Sequence, residues 1–121
     1  MKKIVLVCSS NPQDATRLQE SLTDWTVRHS RVPTAIGDAV ALVIETDLEN
    51  AEVMANNALD ADKVCISLVH AFHERVSTMQ SGFFDAFQRR CLDIHVLGAR
   101  IVQGLERALA LKQRKAQLAA N

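Results

Sequence analysis

The sequence has no excess of charge of either sign: Lys and Arg number 14, and so do Asp and Glu. This balance excludes the one-signed field by which proteins gather on nucleic acid or on an anionic membrane surface. No apolar run approaches the roughly twenty residues needed to cross a bilayer. The opening MKKIVLVCSS imitates the start of a secretory signal. Its apolar run 4–8 is shorter than an h-region of about 7–15 residues, and Asn11-Pro12-Gln13 follows without a cleavage pattern, so a first β-strand fits better. The three cysteines, Cys8, Cys65 and Cys91, are odd in number and have no C-x-x-C spacing. Two of them fall in strand-like runs, where a free thiol behaves as a small hydrophobe, and a reduced, cytoplasmic protein is expected. Internal repeats and low-complexity linkers are also missing. A length of 121 residues leaves room for one core, hence a single domain over 1–121.

What is present is an alternation of short apolar runs with helical stripes. The stretch 39–70 reads as strand, turn, helix, strand. Residues 39–45 and 63–69 are Val- and Ile-rich runs of the kind buried on both faces of a sheet. Between them Leu48, Ala51, Met54, Ala55, Ala58 and Leu59 recur at helical spacing. Thr46-Asp47-Leu48-Glu49 has the pattern of a capping box, with Thr46 capping the helix and Glu49 reaching back. A unit of about thirty residues fits a βαβ crossover, which makes the two strands parallel. Ligand crevices in such sheets lie outside the carboxyl ends of the strands, so Glu45, Thr46, Asp47 and His70 stand at the mouth of any site.

The flanks extend the pattern. Residues 3–8 form a first strand, and Pro12 opens a helix whose stripe is Ala15, Leu18, Leu22 and Trp25. Residues 26–32 are a weak strand with a polar middle, expected at a sheet edge and ended by Pro33. Residues 71–80 look helical. Phe83, Phe84 and Phe87 hold three of the four phenylalanines. They read as a short helix with its aromatic face on the core, or as a dimer contact. Residues 93–97 read as a last short strand ended by Gly98, and a closing helix starts at Ala99. The sum is a three-layer α/β/α sandwich with a mostly parallel sheet of about five strands.

Three segments resemble the ribose-5-phosphate isomerase B / galactose-6-phosphate isomerase family. These are KKIVLVCSSNPQDATRLQESL, the central unit through AFHERV, and DIHVLGARIVQGLERAL, whose Leu-Gly-Ala-Arg turn is the most specific part together with His70. The resemblance implies a homodimer, a sugar-like ligand, a ring-opening histidine at His70 and a phosphate-binding arginine at Arg100. It implies no cofactor. The chain departs from the family at the chemistry: Ser9-Ser10 replace an Asp-His pair, and Glu45 replaces the catalytic cysteine. The turn 45–50 also lacks the glycines of an anion-cradling loop.

Two functional expectations follow. In the preferred one the chain is a catalytically degenerate or re-purposed member of that fold, binding a small molecule or acting through assembly. In the other it is an aldose–ketose isomerase with Glu45 as the enediol base, its pKa raised by burial, and His70 as acid/base. Ser9, Ser10, Thr46, Asp47 and Arg100 are the candidate substrate-binding residues. No metal site is expected, since His70 and His73 are three apart rather than four and no third ligand is implied, although Asp47 could approach in the fold.

Overall fold

A computed structural model describes the backbone of residues 3–120, and the side chains of these except at 72, 76 and 120. Met1 and Lys2, the basic start of the signal-like opening, lie outside the described residues. Five strands, β1 (Ile4–Cys8), β2 (Thr26–Ser30), β3 (Ala41–Glu45), β4 (Val64–Val69) and β5 (Asp85–Gln88), form one parallel sheet in the order β2-β1-β3-β4-β5. Four α-helices connect or close it: α1 (Gln13–Ser21), α2 (Ala51–Asp60), α3 (Phe72–Gln80) and α4 (Ile94–Ala120). This is the expected α/β sandwich in its doubly wound, flavodoxin-like order, whose switch point lies between β1 and β3.

The central strands follow from composition. Every residue of β1, β3 and β4 is buried, as continuous apolar runs must be when both faces of a sheet are covered. One face carries Val5, Val7, Val43, Ile66 and Leu68 against Leu18 and Leu22 from the α1 segment and Ile94, Leu97, Ile101 and Leu105 of α4. The other carries Ile4, Leu6, Leu42, Ile44 and Cys65 against Ala51, Met54, Ala55 and Ala58 of α2. The weak strand β2 is an edge strand, as its polar middle implied. The crossover from β2 to β3, residues 31–40, has no helix, and Ile36 and Ala39 cover the sheet there instead.

Four local expectations change. Residues 93–97 are not a strand. Asp93 Oδ1 accepts hydrogen bonds from the backbone N–H groups of His95 and Val96, so α4 starts at Ile94 and runs through Gly98. Glycine lets α4 approach α1 closely there, since a Cβ would lie 3.0 Å from Ser21 Oγ and 3.4 Å from Leu22 Cδ2. The fifth strand is Asp85–Gln88, in the aromatic segment read as helix. Phe83 packs in the core beneath α2, while Phe84 lies under the Arg100 guanidinium at 4.6 Å.

The capping box does not form either. Asn50, with φ of 65°, precedes α2 without a side-chain cap, and Thr46 Oγ1 donates to Leu68 O at 3.3 Å instead. Finally, α1 stops at Ser21, and Trp25 packs against the core from the loop that follows.

The three thiols differ sharply in setting. Burial pushes Cys8 up to about 11, helped by the Glu45 charge, and burial alone pushes Cys65 up to about 12. Cys91 is exposed. Since the thiolate is the nucleophile, iodoacetamide at neutral pH is expected to label folded protein at Cys91 alone, with Cys8 and Cys65 reacting only after unfolding. Peptide mapping checks this; label on Cys8 in folded protein would contradict the packing of β1.

Candidate functional site at the carboxyl end of the sheet

The site is built where the fold places it. β1 ends into Ser9 and Ser10, β3 ends in Glu45, β4 ends into His70 and β5 ends into Arg89. Parallel strands in register bring these four endings to one edge of the sheet, at the switch point.

Glu45 is the centre of this group and is 3% exposed. Its Oε1 accepts two hydrogen bonds from Ser10, one from the backbone N–H and one from Oγ, each 2.8 Å. Its Oε2 lies 3.2 Å from His70 Nε2 and 3.7 Å from Arg89 Nε. Burial pushes its carboxyl up, but the Ser10 hydrogen bonds, the Arg89 charge and the His70 contact outweigh that, and the group is held below its ordinary value. His70 Nε2 also lies 3.2 Å from Asp47 Oδ2, and the His70 backbone N–H donates to Glu74 Oε2 at 3.3 Å. Arg89 makes its closest ion pair with Asp14, a buried residue in the first turn of α1, at 2.6 Å.

The structure thus gathers Glu45, Asp47, His70 and Ser10 from the sequence-derived set. Ser9 is buried but turned aside, its Oγ donating to Asn11 O at 3.1 Å while His29 Nε2 donates to Ser9 O at 2.9 Å. Thr46 is occupied by the backbone of β4. Arg100 does not join the site. Its Nε donates to Asp85 Oδ2 at 2.6 Å, at the opposite, amino-terminal end of β5, where its planar head also covers Phe84. Arg89 and Asp14 were not legible as site residues. Arg89 emerges only once β5 is placed at Asp85–Gln88, and Asp14 reads as an ordinary acidic residue in a first helical turn.

The enediol-base expectation fails on this geometry. A general base needs a free oxygen facing substrate and a pKa near the working pH. Glu45 is enclosed, hydrogen-bonded at Oε1, and shifted downward rather than upward.

The depressed carboxyl has a consequence for stability. Protons bind the unfolded chain more readily than the folded one at this group, so Glu45 contributes stability at pH above its ordinary value of 4.5. That contribution is lost as pH falls from there through the lower folded value. Urea unfolding of wild type and Glu45→Gln at stepped pH should show a gap that is full near neutrality and closes in acid. A gap that widens in acid would reverse the assigned direction.

Comparison with known proteins supports the same correction. No family model matches the chain, and no curated protein does. Among solved structures, it is similar to the signal receiver domain of a Luxo repressor protein from Vibrio parahaemolyticus, with a TM-score of 0.77 and 13% identity over 93% of this chain and 97% of that one. It is also similar to a BeF3-activated DrrB receiver domain, with a TM-score of 0.72 and 14% identity over 88% of this chain and 99% of that one. At these identities the likeness shows the fold alone, an α/β sandwich on a five-stranded parallel sheet that these receiver domains share. The sugar-phosphate isomerase resemblance is overturned, and with it the expected place in carbohydrate metabolism and both functions expected from it, the degenerate or re-purposed member of that fold and the aldose–ketose isomerase. Its most specific element, the 97–100 turn, lies inside α4. No helix among the described residues is long and apolar enough to cross a membrane.

Proposed function

We infer that this chain is a regulatory module of the signal-receiver type, in which the Glu45 crevice is the input site and rearrangement around it is the output. The observation that carries this reading is a buried, charged Glu45 at the switch point of a receiver fold, tied to three other strand endings through Ser10, His70 and Arg89. A group so placed couples the loops after β1, β4 and β5, because a change in its charge or contacts alters all three at once.

Phosphoryl transfer to Glu45 is not the input in this reading. A carboxylate that attacks phosphorus needs an open oxygen and in-line space, and the Glu45 side chain is 4% exposed with both oxygens facing partners. The standing charge of Glu45 holds the loops together. Hydrogen exchange on wild type and Glu45→Gln tests this. Faster exchange is expected in the segments after β1, β4 and β5 of the variant, with β3 itself unchanged. Acetyl phosphate is expected to leave the intact mass unaltered. Exchange changes confined to residue 45 and its neighbours, or a phosphoryl adduct on Glu45, would overturn the reading.

A further inference from the structure

We propose that Glu45, Asp47 and His70 form a binding site for a divalent transition-metal cation, of the zinc or cobalt class, and that this cation is the ligand of the input site. The inference rests on the receiver-type reading for its regulatory meaning and on geometry for the site itself. His70 Nε2 stands 3.2 Å from Glu45 Oε2 and 3.2 Å from Asp47 Oδ2, and the three donor atoms lie within 4.8 Å of one another. A cation about 2.0–2.2 Å from nitrogen and oxygen donors sets neighbouring donors roughly 3.0–3.5 Å apart. Both histidine–carboxylate separations already have that value, so an ion seated beside His70 reaches each carboxylate with at most a small side-chain adjustment.

Hydrogen bonding and charge point the same way. An imidazole nitrogen carries at most one proton, yet two carboxylates converge on this one. Arg89 is engaged first by Asp14, at 2.6 Å against 3.7 Å to Glu45, so it offsets the Glu45 charge only in part, and the rest of that charge faces His70 together with Asp47. Two carboxylates and an imidazole nitrogen make a donor set that matches a dication. The supporting contacts suit metal ligation as well. Ser10 holds Oε1 with two hydrogen bonds, fixing the Glu45 carboxylate with Oε2 turned to the site.

The donor types choose among metals. An imidazole with two carboxylates suits zinc, cobalt or nickel, whereas magnesium prefers an all-oxygen octahedron and dehydrates reluctantly. His70 and Asp47 are about half exposed, at 49% and 61% of their side chains, so the ion keeps open positions toward solvent. That is the pattern of an exchangeable site rather than a structural one.

The test is titration of the full chain with Zn2+ by calorimetry and with Co2+ by visible absorption, Mg2+ serving as the contrast. A single saturable site for Zn2+ and Co2+ is expected, with Mg2+ at least a hundredfold weaker. His70→Ala and Asp47→Asn should each weaken Zn2+ at least tenfold. Both positions are exposed enough to substitute without unfolding, which circular dichroism verifies. Ser10→Ala, acting only by positioning Glu45, should weaken it about tenfold. Cys91→Ser should change nothing.

Absence of saturable binding, retention of binding in His70→Ala, or Mg2+ as tight as Zn2+ would overturn the site. Hydrogen exchange with and without Zn2+ separates the two readings. Zn2+ that binds but leaves the loops after β1, β4 and β5 unprotected would overturn its role as input while leaving the site intact. Zn2+ that protects them supports both.

Discussion

Arg89→Met is expected to lower the free energy of unfolding by about 3 kcal/mol, although the residue sits at the end of a four-residue strand and looks dispensable in the sequence. The reason is burial. Its side chain is 20% exposed and that of its partner Asp14 9%, and the pair is closed at 2.6 Å. Removing one member of a buried pair leaves the other charged without compensation, which costs about 3–5 kcal/mol; the residual exposure of Arg89 places this case at the low end. Asp14 would be stranded beneath the β5 ending, and Glu45 would lose a positive neighbour at 3.7 Å. The double variant Asp14→Asn/Arg89→Met should recover the part of the loss that comes from a stranded Asp14, while the part that comes from Glu45 losing Arg89 remains. Urea denaturation of the four proteins reads the coupling directly. A single-variant loss below about 1 kcal/mol would put this pair with exposed ion pairs and remove its claim to hold the site together.

The second large effect lies in the core. Ile101 is fully buried on α4, packed among Leu97, Leu105 and the inner face of the sheet. Ile101→Ala deletes three carbons and leaves a cavity, so a loss of about 2–5 kcal/mol is expected. Leu118→Ala on the same helix removes a side chain that is 71% exposed, and should change stability by less than about 0.5 kcal/mol. The comparison holds helix and chemistry nearly constant and varies burial alone. Denaturant midpoints at equal slope would report it. Similar losses at both positions would mean that Leu118 is covered in solution, contrary to the monomer geometry.

The sequence made the centre of the sheet legible because β1, β3 and β4 are apolar runs too short for helices and rich in Val and Ile. It made Glu45, Asp47 and His70 legible for the same reason, since the ends of such strands must meet at one edge. The edge strand β5 escaped that logic. Asp85-Ala86-Phe87-Gln88 is brief and half polar, and its phenylalanines also fit a helical period. With the last strand displaced to residues 93–97, the carboxyl end of β5 fell in the wrong place and Arg89 vanished from the site. The same displacement lent the Leu97–Arg100 segment the look of a phosphate turn. Asp93 decides the matter by capping α4, a preference set by two backbone hydrogen bonds that no apolar pattern records. Glu45 was found but its chemistry was misjudged. Whether burial or hydrogen bonding governs a carboxyl depends on Ser10, 35 residues away in sequence.

The closing helix has one more property. Its first three turns lie on the sheet, held close by Gly104, where a Cβ would come within 2.8 Å of Val64. From Leu109 onward its described side chains are exposed, and the run Leu-Ala-Leu-Lys-Gln-Arg-Lys-Ala-Gln-Leu-Ala is sustained by residues of high helix propensity rather than by packing. Eleven such residues make a stiff segment about 16 Å long. A tilt of roughly 10° at its root, within the play of packed helices, carries the tip about 3 Å. Displacement along this segment therefore grows with distance from the packed half, so a shift that the sheet hardly registers is magnified over the exposed turns.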